Sequence, residues 1–165
     1  MTHDCLLALG SNMGRRRAHL RRALGRLARL PGGKILARSR FFETAAVGPR
    51  QRRYINLAVR YRTALSPMGL LVELKRLEAL GGRKPGRRWG PRPLDIDIID
   101  YGGRRLRGPW LTLPHPRAVQ RAFVLAPLQD IAPQWRPAGR ATTARLLARL
   151  NPAAGTVGVA RGGAD

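Results

Sequence analysis

Only nine of the 165 residues are acidic, yet Asp95, Asp97 and Asp100 all fall within one otherwise apolar run, Leu94 to Tyr101. The run reads as a strand, and a strand turns every second side chain to the same face. Asp95 and Asp97 therefore point together, Leu94, Ile96 and Ile98 point the other way into a core, and Asp100 has the wrong parity to join the pair. Two carboxylates side by side repel each other unless a cation lies between them, and hard oxygen ligands select magnesium. The alternative is that both pair with nearby arginines. Immediately upstream, Gly82 to Arg92 carries Arg83, Lys84, Arg87, Arg88 and Arg92 among glycines and prolines, which delivers several guanidinium groups beside the acids. Arginine grips phosphate oxygens with a planar fork, and magnesium bridging neighbouring phosphates neutralises charge as a bond to phosphorus breaks. Acids and arginines together point to a metal-bound polyphosphate. The glycines and prolines suit a loop that closes over a nucleotide. Neither Gly-x-x-x-x-Gly-Lys-Ser/Thr nor Gly-x-Gly-x-x-Gly occurs, so the familiar glycine-loop nucleotide sites are excluded.

The elements that must position these groups alternate between strand and helix. Cys5 to Leu9 is a short apolar strand ending at Gly10-Ser11-Asn12, after which Leu20, Ala23, Leu24, Leu27 and Leu30 recur at helical spacing until Pro31-Gly32-Gly33. Ile35 to Phe42 reads as a second strand. Tyr54 to Thr63 is a third, with Ile55, Leu57, Val59 and Tyr61 on one face and Tyr54, Asn56, Ala58, Arg60 and Arg62 on the other. Ser66 as cap and Pro67 at the first helical position open a helix that stops at Gly81-Gly82. Leu94 to Tyr101 is the fourth strand, Val124 to Leu128 reads as a short fifth, and Thr142 to Leu150 is a closing helix. The tail from Asn151 to Asp165 is expected to be loosely ordered.

Length and the absence of any linker predict a single domain over residues 1–165. No apolar run approaches the roughly 20 residues that cross a bilayer, and no basic segment precedes the short apolar start, so a soluble, non-exported chain without a membrane partner is expected. The one cysteine, Cys5, suits a reducing cytoplasm and excludes an internal disulfide. A formal charge of +23 attracts any polyanion, with affinity that falls as salt rises. Arginine outnumbers lysine 29 to 3 and is spread along the chain rather than gathered in a tail, which resembles a compositional bias more than a patch for a specific nucleic acid.

The stretch Arg88-Trp89-Gly90-Pro91-Arg92-Pro93-Leu94-Asp95-Ile96-Asp97-Ile98-Ile99 resembles the signature of the 6-hydroxymethyl-7,8-dihydropterin pyrophosphokinases. Leu9-Gly10-Ser11-Asn12, Tyr54-Ile55-Asn56, Leu113-Pro114-His115-Pro116-Arg117 and Arg121-Ala122-Phe123-Val124-Leu125 resemble that family in order and spacing, over residues 4 to 150. The resemblance implies an α+β fold, a ferredoxin-like sandwich whose mostly antiparallel sheet has helices on both faces. It implies a monomeric enzyme of folate biosynthesis that moves diphosphate from ATP to hydroxymethyl-dihydropterin and releases AMP. Carried over residue by residue, it makes Asp95 and Asp97 the ligands of two Mg2+ ions. It gives Arg83, Arg88, Arg92, His115 and Arg121 to the triphosphate, with Arg83 and Arg92 also catalytic. Leu71, Trp89, Ile98 and Thr112 line the nucleotide. Tyr54 and Phe123 sandwich the pterin, while Asn56 and the backbone at Thr44 and Val47 meet its edge.

Departures from the family pattern are a basic loop about one residue shorter, with Lys84 in place of an arginine, Lys75 where a neutral amide is common, and Trp110 where a basic residue is common. The rival reading is a non-catalytic basic module for RNA, in which Asp95 and Asp97 are incidental. It leaves unexplained why carboxylates cluster where phosphate would bind.

Overall fold

Leu7 and Leu9 of the first strand face one apolar layer, while Leu6 on the opposite face meets another, so a strand carrying both must lie mid-sheet with cover on each side. The computed structural model, which describes residues 1–46, 51–83, 90–150 and 158–160, has that arrangement. β1 (His3–Ser11) pairs with β4 (Tyr54–Thr63) on one side and with β5 (Asp95–Tyr101) on the other, both antiparallel. β2 (Lys34–Arg38) and β3 (Phe42–Thr44) share the far edge of β4, and β8 (Gly158–Val159) pairs with β3. Counting β2 and β3 as one broken strand, the sheet runs β5, β1, β4, β2/β3, the ferredoxin-like order with every pairing antiparallel.

α1 (Arg16–Leu27) and α2 (Pro67–Leu80) cover one face, packing Leu20, Leu27, Leu70 and Leu74 against Leu7, Leu9, Leu57 and Ile96. α2 starts as the sequence predicts, because Ser66 Oγ accepts from the Gly69 amide at 3.1 Å and Pro67 follows it. α3 (Ala122–Ile131) covers the other face, setting Val124 and Leu128 on Leu6, Ala58 and Ile99, and α4 (Thr143–Arg149) packs on α3. A small hairpin, β6 (Leu106–Arg107) with β7 (Thr112–Leu113), lies beyond β5.

Three expectations change. Val124 to Leu128 belongs to helix α3, not to a strand: five apolar residues fit either element by pattern alone, and burial of all five decides for a helix lodged between sheet and α4, despite Pro127. Ile35 to Phe42 is interrupted, because Ser39 Oγ accepts from the Ala58 amide at 2.9 Å while Arg40 turns out to pair with Asp130 on α3. Within the tail, Gly158–Val159 forms strand rather than loose chain, and the Ala160 amide donates to the Phe41 carbonyl at 2.8 Å. The rest of the tail, residues 151–157 and 161–165, lies outside the described residues.

The α1–β2 turn is fixed by close approach. Tyr61 is fully buried and donates its hydroxyl to the Leu27 carbonyl at 3.1 Å, and a Cβ on Gly33 would lie 1.8 Å from that hydroxyl. Gly33→Ala should therefore cost about 2 kcal/mol in urea denaturation, and clearly less in a Tyr61→Phe background that lacks the clashing oxygen. Equal costs in both backgrounds would assign the effect to something other than this contact.

Candidate functional site

The face of the sheet under α3 is apolar at one end and polar at the other. Along β1 it passes from Leu6 to Ala8 and Gly10, whose cross-strand neighbours on β5 are Asp97 and Asp95 and on β4 are Ala58 and Asn56. Ala8 and Gly10 are thus the floor of a cleft of about 290 Å3, with the acids along one wall and Tyr54, Asn56 and Thr44 along the other. The floor has to be small. A Cβ on Gly10 would come within 2.7 Å of Asn56 Oδ1 and 3.4 Å of Tyr54 Cδ1. His115, Arg121 and Phe123, arriving from the β7–α3 connection and the start of α3, close the far end.

On the acidic wall, Asp95 Oδ1 accepts from Arg83 Nη1 at 2.7 Å and from Arg92 Nη1 at 3.0 Å. Asp97 makes no hydrogen bond or ion pair with any of the described residues. Burial, and next the charge of Asp95, push its carboxyl above the ordinary 3.8, against the opposing pull of His115, Lys75 and Arg121. An acid desolvated beside another acid is what a hard cation relieves, and magnesium is commonly held by one or two carboxylates with water and substrate phosphate completing its shell. The donor set therefore fits magnesium.

His115 is pulled below 6.5, chiefly by burial, so its ring is neutral at neutral pH. Its Nδ1 accepts from the Arg117 amide at 3.2 Å, which leaves the proton on Nε2 as a donor. Arg121, also lowered mainly by burial, lies 5.5 Å from the centre of the Phe123 ring. On the opposite wall Asn56 Nδ2 donates to Thr44 Oγ1 at 2.7 Å, both residues being buried, and Tyr54 is half-buried beside them. A flat aromatic flank and an oriented amide thus sit across a small-residue floor from acids and guanidinium groups.

Of the residues singled out from sequence, Asp95, Asp97, Arg83, Arg92, His115 and Arg121 line this cleft, and so do Thr44, Tyr54, Asn56 and Phe123. Leu71, Ile98 and Thr112 lie outside its lining. Ile98 is in the core on the opposite face of the sheet, Leu71 packs against that core from α2, and Thr112 is on β7. Val47, Arg88 and Trp89 lie outside the described residues, as does Lys84. Trp110 is 79% exposed between β6 and β7. Sequence reasoning missed Glu78, whose signal was available: it falls four residues after Leu74 on the apolar face of α2, an odd place for one of nine acids. It also missed Asn12 as a clamp: Asn12 Oδ1 accepts from the Arg92 amide at 2.7 Å while its Nδ2 donates to Gln51 Oε1 at 2.8 Å.

Residues 6–133 match the family model described as 7,8-dihydro-6-hydroxymethylpterin-pyrophosphokinase (HPPK). The chain belongs to the HPPK family. A 2-amino-4-hydroxy-6-hydroxymethyldihydropteridine pyrophosphokinase of Methylorubrum extorquens is 43% identical over 147 residues, covering 88% of this chain and 92% of that protein. The protein of the same name from Synechocystis is 42% identical over 133 residues, covering 81% of this chain and 68% of the relative. Among solved structures, Plasmodium falciparum HPPK-DHPS with pteroate matches with a TM-score of 0.72 at 16% identity, over 90% of this chain and 42% of that one. The HPPK chain here thus spans about two fifths of that larger protein, and the likeness supports the shared fold. Among the described residues no helix is long and apolar enough to cross a membrane.

Asp97 gives this site a pH signature. Its raised pKa means that the folded chain keeps a proton that the unfolded chain has released, so stability is full below the ordinary carboxylate value and declines as pH rises through the raised one. Asp97→Asn should therefore raise the Tm of the ligand-free protein at neutral pH, and the gain should vanish below about pH 4. Thermal denaturation at both pH values checks this, and an equal gain at the two would point to packing instead of charge.

Proposed function

We propose that the cleft binds ATP and 6-hydroxymethyl-7,8-dihydropterin side by side and that the chain transfers the terminal diphosphate to the pterin, releasing AMP, as a step of folate biosynthesis. The hydroxymethyl oxygen forms a bond to the β-phosphorus, the bond from that phosphorus to the AMP oxygen breaks, and the hydroxyl proton is released. What carries the reading is one cleft with two chemically opposite walls meeting over Gly10 and Ala8.

Asp95 and Asp97 hold magnesium, two ions in this reading, which supply charge neutralisation at the phosphate oxygens when bound. Arg83 and Arg92 take the triphosphate from the loop side, joined by Arg88. His115, through Nε2–H, and Arg121 take it from the other. Leu71, Thr112, Trp89 and the backbone at Ile98 border the part of the nucleotide that extends beyond the cleft. Tyr54 and Phe123 stack on the pterin, and Asn56, oriented by Thr44, meets its donor and acceptor edge with the backbone at Thr44 and Val47. Arg121 lying over Phe123 links the phosphate side to the pterin side, so the ring that stacks on one substrate orients a cation for the other. Catalysis then comes from positioning and charge stabilisation more than from a proton acceptor. The chain works as a single-domain monomer in the cytoplasm, without a membrane or specific nucleic-acid partner, and its +23 charge draws in polyanionic substrate at low salt.

The decisive measurement is AMP release from ATP and magnesium, with and without the pterin. Pterin-dependent AMP is expected, and ADP as product or activity without a divalent cation would overturn the reading. Asp97→Ala should abolish turnover while pterin still binds. Phe123→Ala should raise the KM for pterin roughly tenfold and leave that for ATP within about twofold.

A further inference from the structure

Glu78 lies on α2, outside the lining of the cleft, yet it is 1% exposed and touches the site through three donors. Its Oε1 accepts from the amide of Ile96, the residue between Asp95 and Asp97 on β5, at 2.7 Å. Lys75 Nζ, one helical turn earlier, reaches Oε1 at 2.9 Å and Oε2 at 3.1 Å. Arg83 Nη1 donates to Oε2, and the same Nη1 is 2.7 Å from Asp95 Oδ1. One guanidinium nitrogen is thus shared between a buried acid anchored to the sheet and an acid at the mouth of the cleft.

We infer that Glu78 is a positioning residue that divides Arg83 between itself and Asp95, and so sets how readily Asp95 is released to a divalent cation. The inference rests on the assignment of Asp95 to the metal. Arg83 and a cation compete for the same carboxylate, because Asp95 Oδ1 already accepts from Arg83 and Arg92. Whatever share of Arg83 Glu78 takes weakens the Arg83–Asp95 pair and lowers the cost of replacing it with metal. When Asp95 turns to the cation, Glu78 still holds Arg83 at the cleft wall, available to phosphate. Glu78 itself cannot follow Arg83 outward, since the Ile96 amide and Lys75 fix both of its oxygens. An ordinary structural acid would fasten α2 to β5 and nothing more. The shared Nη1 is the feature such a role does not need.

Substitutions of Glu78 and of Arg83 should shift metal affinity with opposite sign. In Glu78→Gln the side chain keeps its shape and can still accept from Ile96, but the charge that draws Arg83 away from Asp95 is gone. Mn2+ binding to the nucleotide-free protein, read by the loss of the free-ion EPR signal, should weaken roughly three- to fivefold. In Arg83→Gln the competitor itself is removed, and bare Mn2+ should bind tighter by a similar factor while MgATP binds more weakly. The KM for MgATP should rise in Glu78→Gln with the KM for pterin unchanged. Glu78→Asp, which keeps the charge on a shorter arm, should recover part of the Mn2+ affinity.

Unchanged Mn2+ affinity in Glu78→Gln, with a lowered Tm only, would overturn the inference and leave Glu78 a fastener of helix to strand. Should Glu78→Gln fail to fold, Arg83→Gln leaves the buried acid in place, and weaker or unchanged Mn2+ binding there would overturn it equally. Asp95→Asn separates the two layers of the argument. If it does not weaken Mn2+ binding, the metal assignment fails; if it does while neither Glu78→Gln nor Arg83→Gln moves the affinity as stated, only the role of Glu78 fails.

Discussion

Two carboxylates on one face of β5 repel each other, and this repulsion governs how the rest of the structure is built around them. The chain contains 32 Lys and Arg residues against nine acids, so a free cation is never scarce. Among the described residues, the other acids are engaged by arginine, lysine or backbone amide: Asp4 by Arg60 and Arg62, Asp130 by Arg40, Asp100 by the Gly103 amide, Asp95 by Arg83 and Arg92. Asp97 alone has no such contact there, and burial raises its pKa. A half-buried acid left unneutralised in so basic a molecule is a cost to stability that a bound cation offsets.

The neighbours of the pair follow from that constraint. Beside the acids β1 presents Ala8 and Gly10 where Leu6 lies one step earlier, which leaves the cleft open. Strand alternation sets Ile99 on the face of Asp95 and Asp97, in the apolar layer under α3, and the register shift between Leu6 and Leu7 inverts the alternation beyond it, so that Tyr101 joins the opposite core. Asp100, which pairs with Leu6 beyond the shift and so lies on the α3 side against its sequence parity, accepts from the Gly103 amide near the strand's end. One sheet face thereby serves as core and as cleft, with a bulge at the boundary.

The acidic pair, its parity and the arginines around it were legible in the sequence because strand alternation is a strict period, and acids are too few here to cluster by accident. β4 was legible for the same reason, with Tyr54 and Asn56 on the cleft face and Ile55 and Leu57 on the other. Val124 to Leu128 misled because an unbroken apolar run has no period, and packing on both sides stabilises the helix there despite Pro127. The break at Ser39 was illegible because a hydroxyl replacing a ladder contact leaves no pattern in the chain. For Glu78 the odd position on an apolar helix face was legible, but its partner Ile96, 18 residues on, was not, since only the packing of α2 on β5 creates that contact.

The preponderance of arginine has a consequence for how such a site can be regulated by its own charges. A guanidinium is always charged, and each of its Nη nitrogens carries two N–H donors in one plane, so a single nitrogen can bridge two acids at once. Arg83 does so, through one nitrogen, and Arg92 adds a second hold on Asp95. The ligand-free cleft therefore has Arg83 and Arg92 paired with Asp95, the proposed phosphate cations held on the proposed metal ligand. In the proposed function, binding a metal-bound polyphosphate exchanges these pairs for cation–carboxylate and guanidinium–phosphate contacts of the same kind and gives Asp97 the cation it lacks. Strands β1, β4 and β5 carry the floor, the acids and Tyr54 and Asn56, while Arg83 and Arg92 come from the connection between α2 and β5.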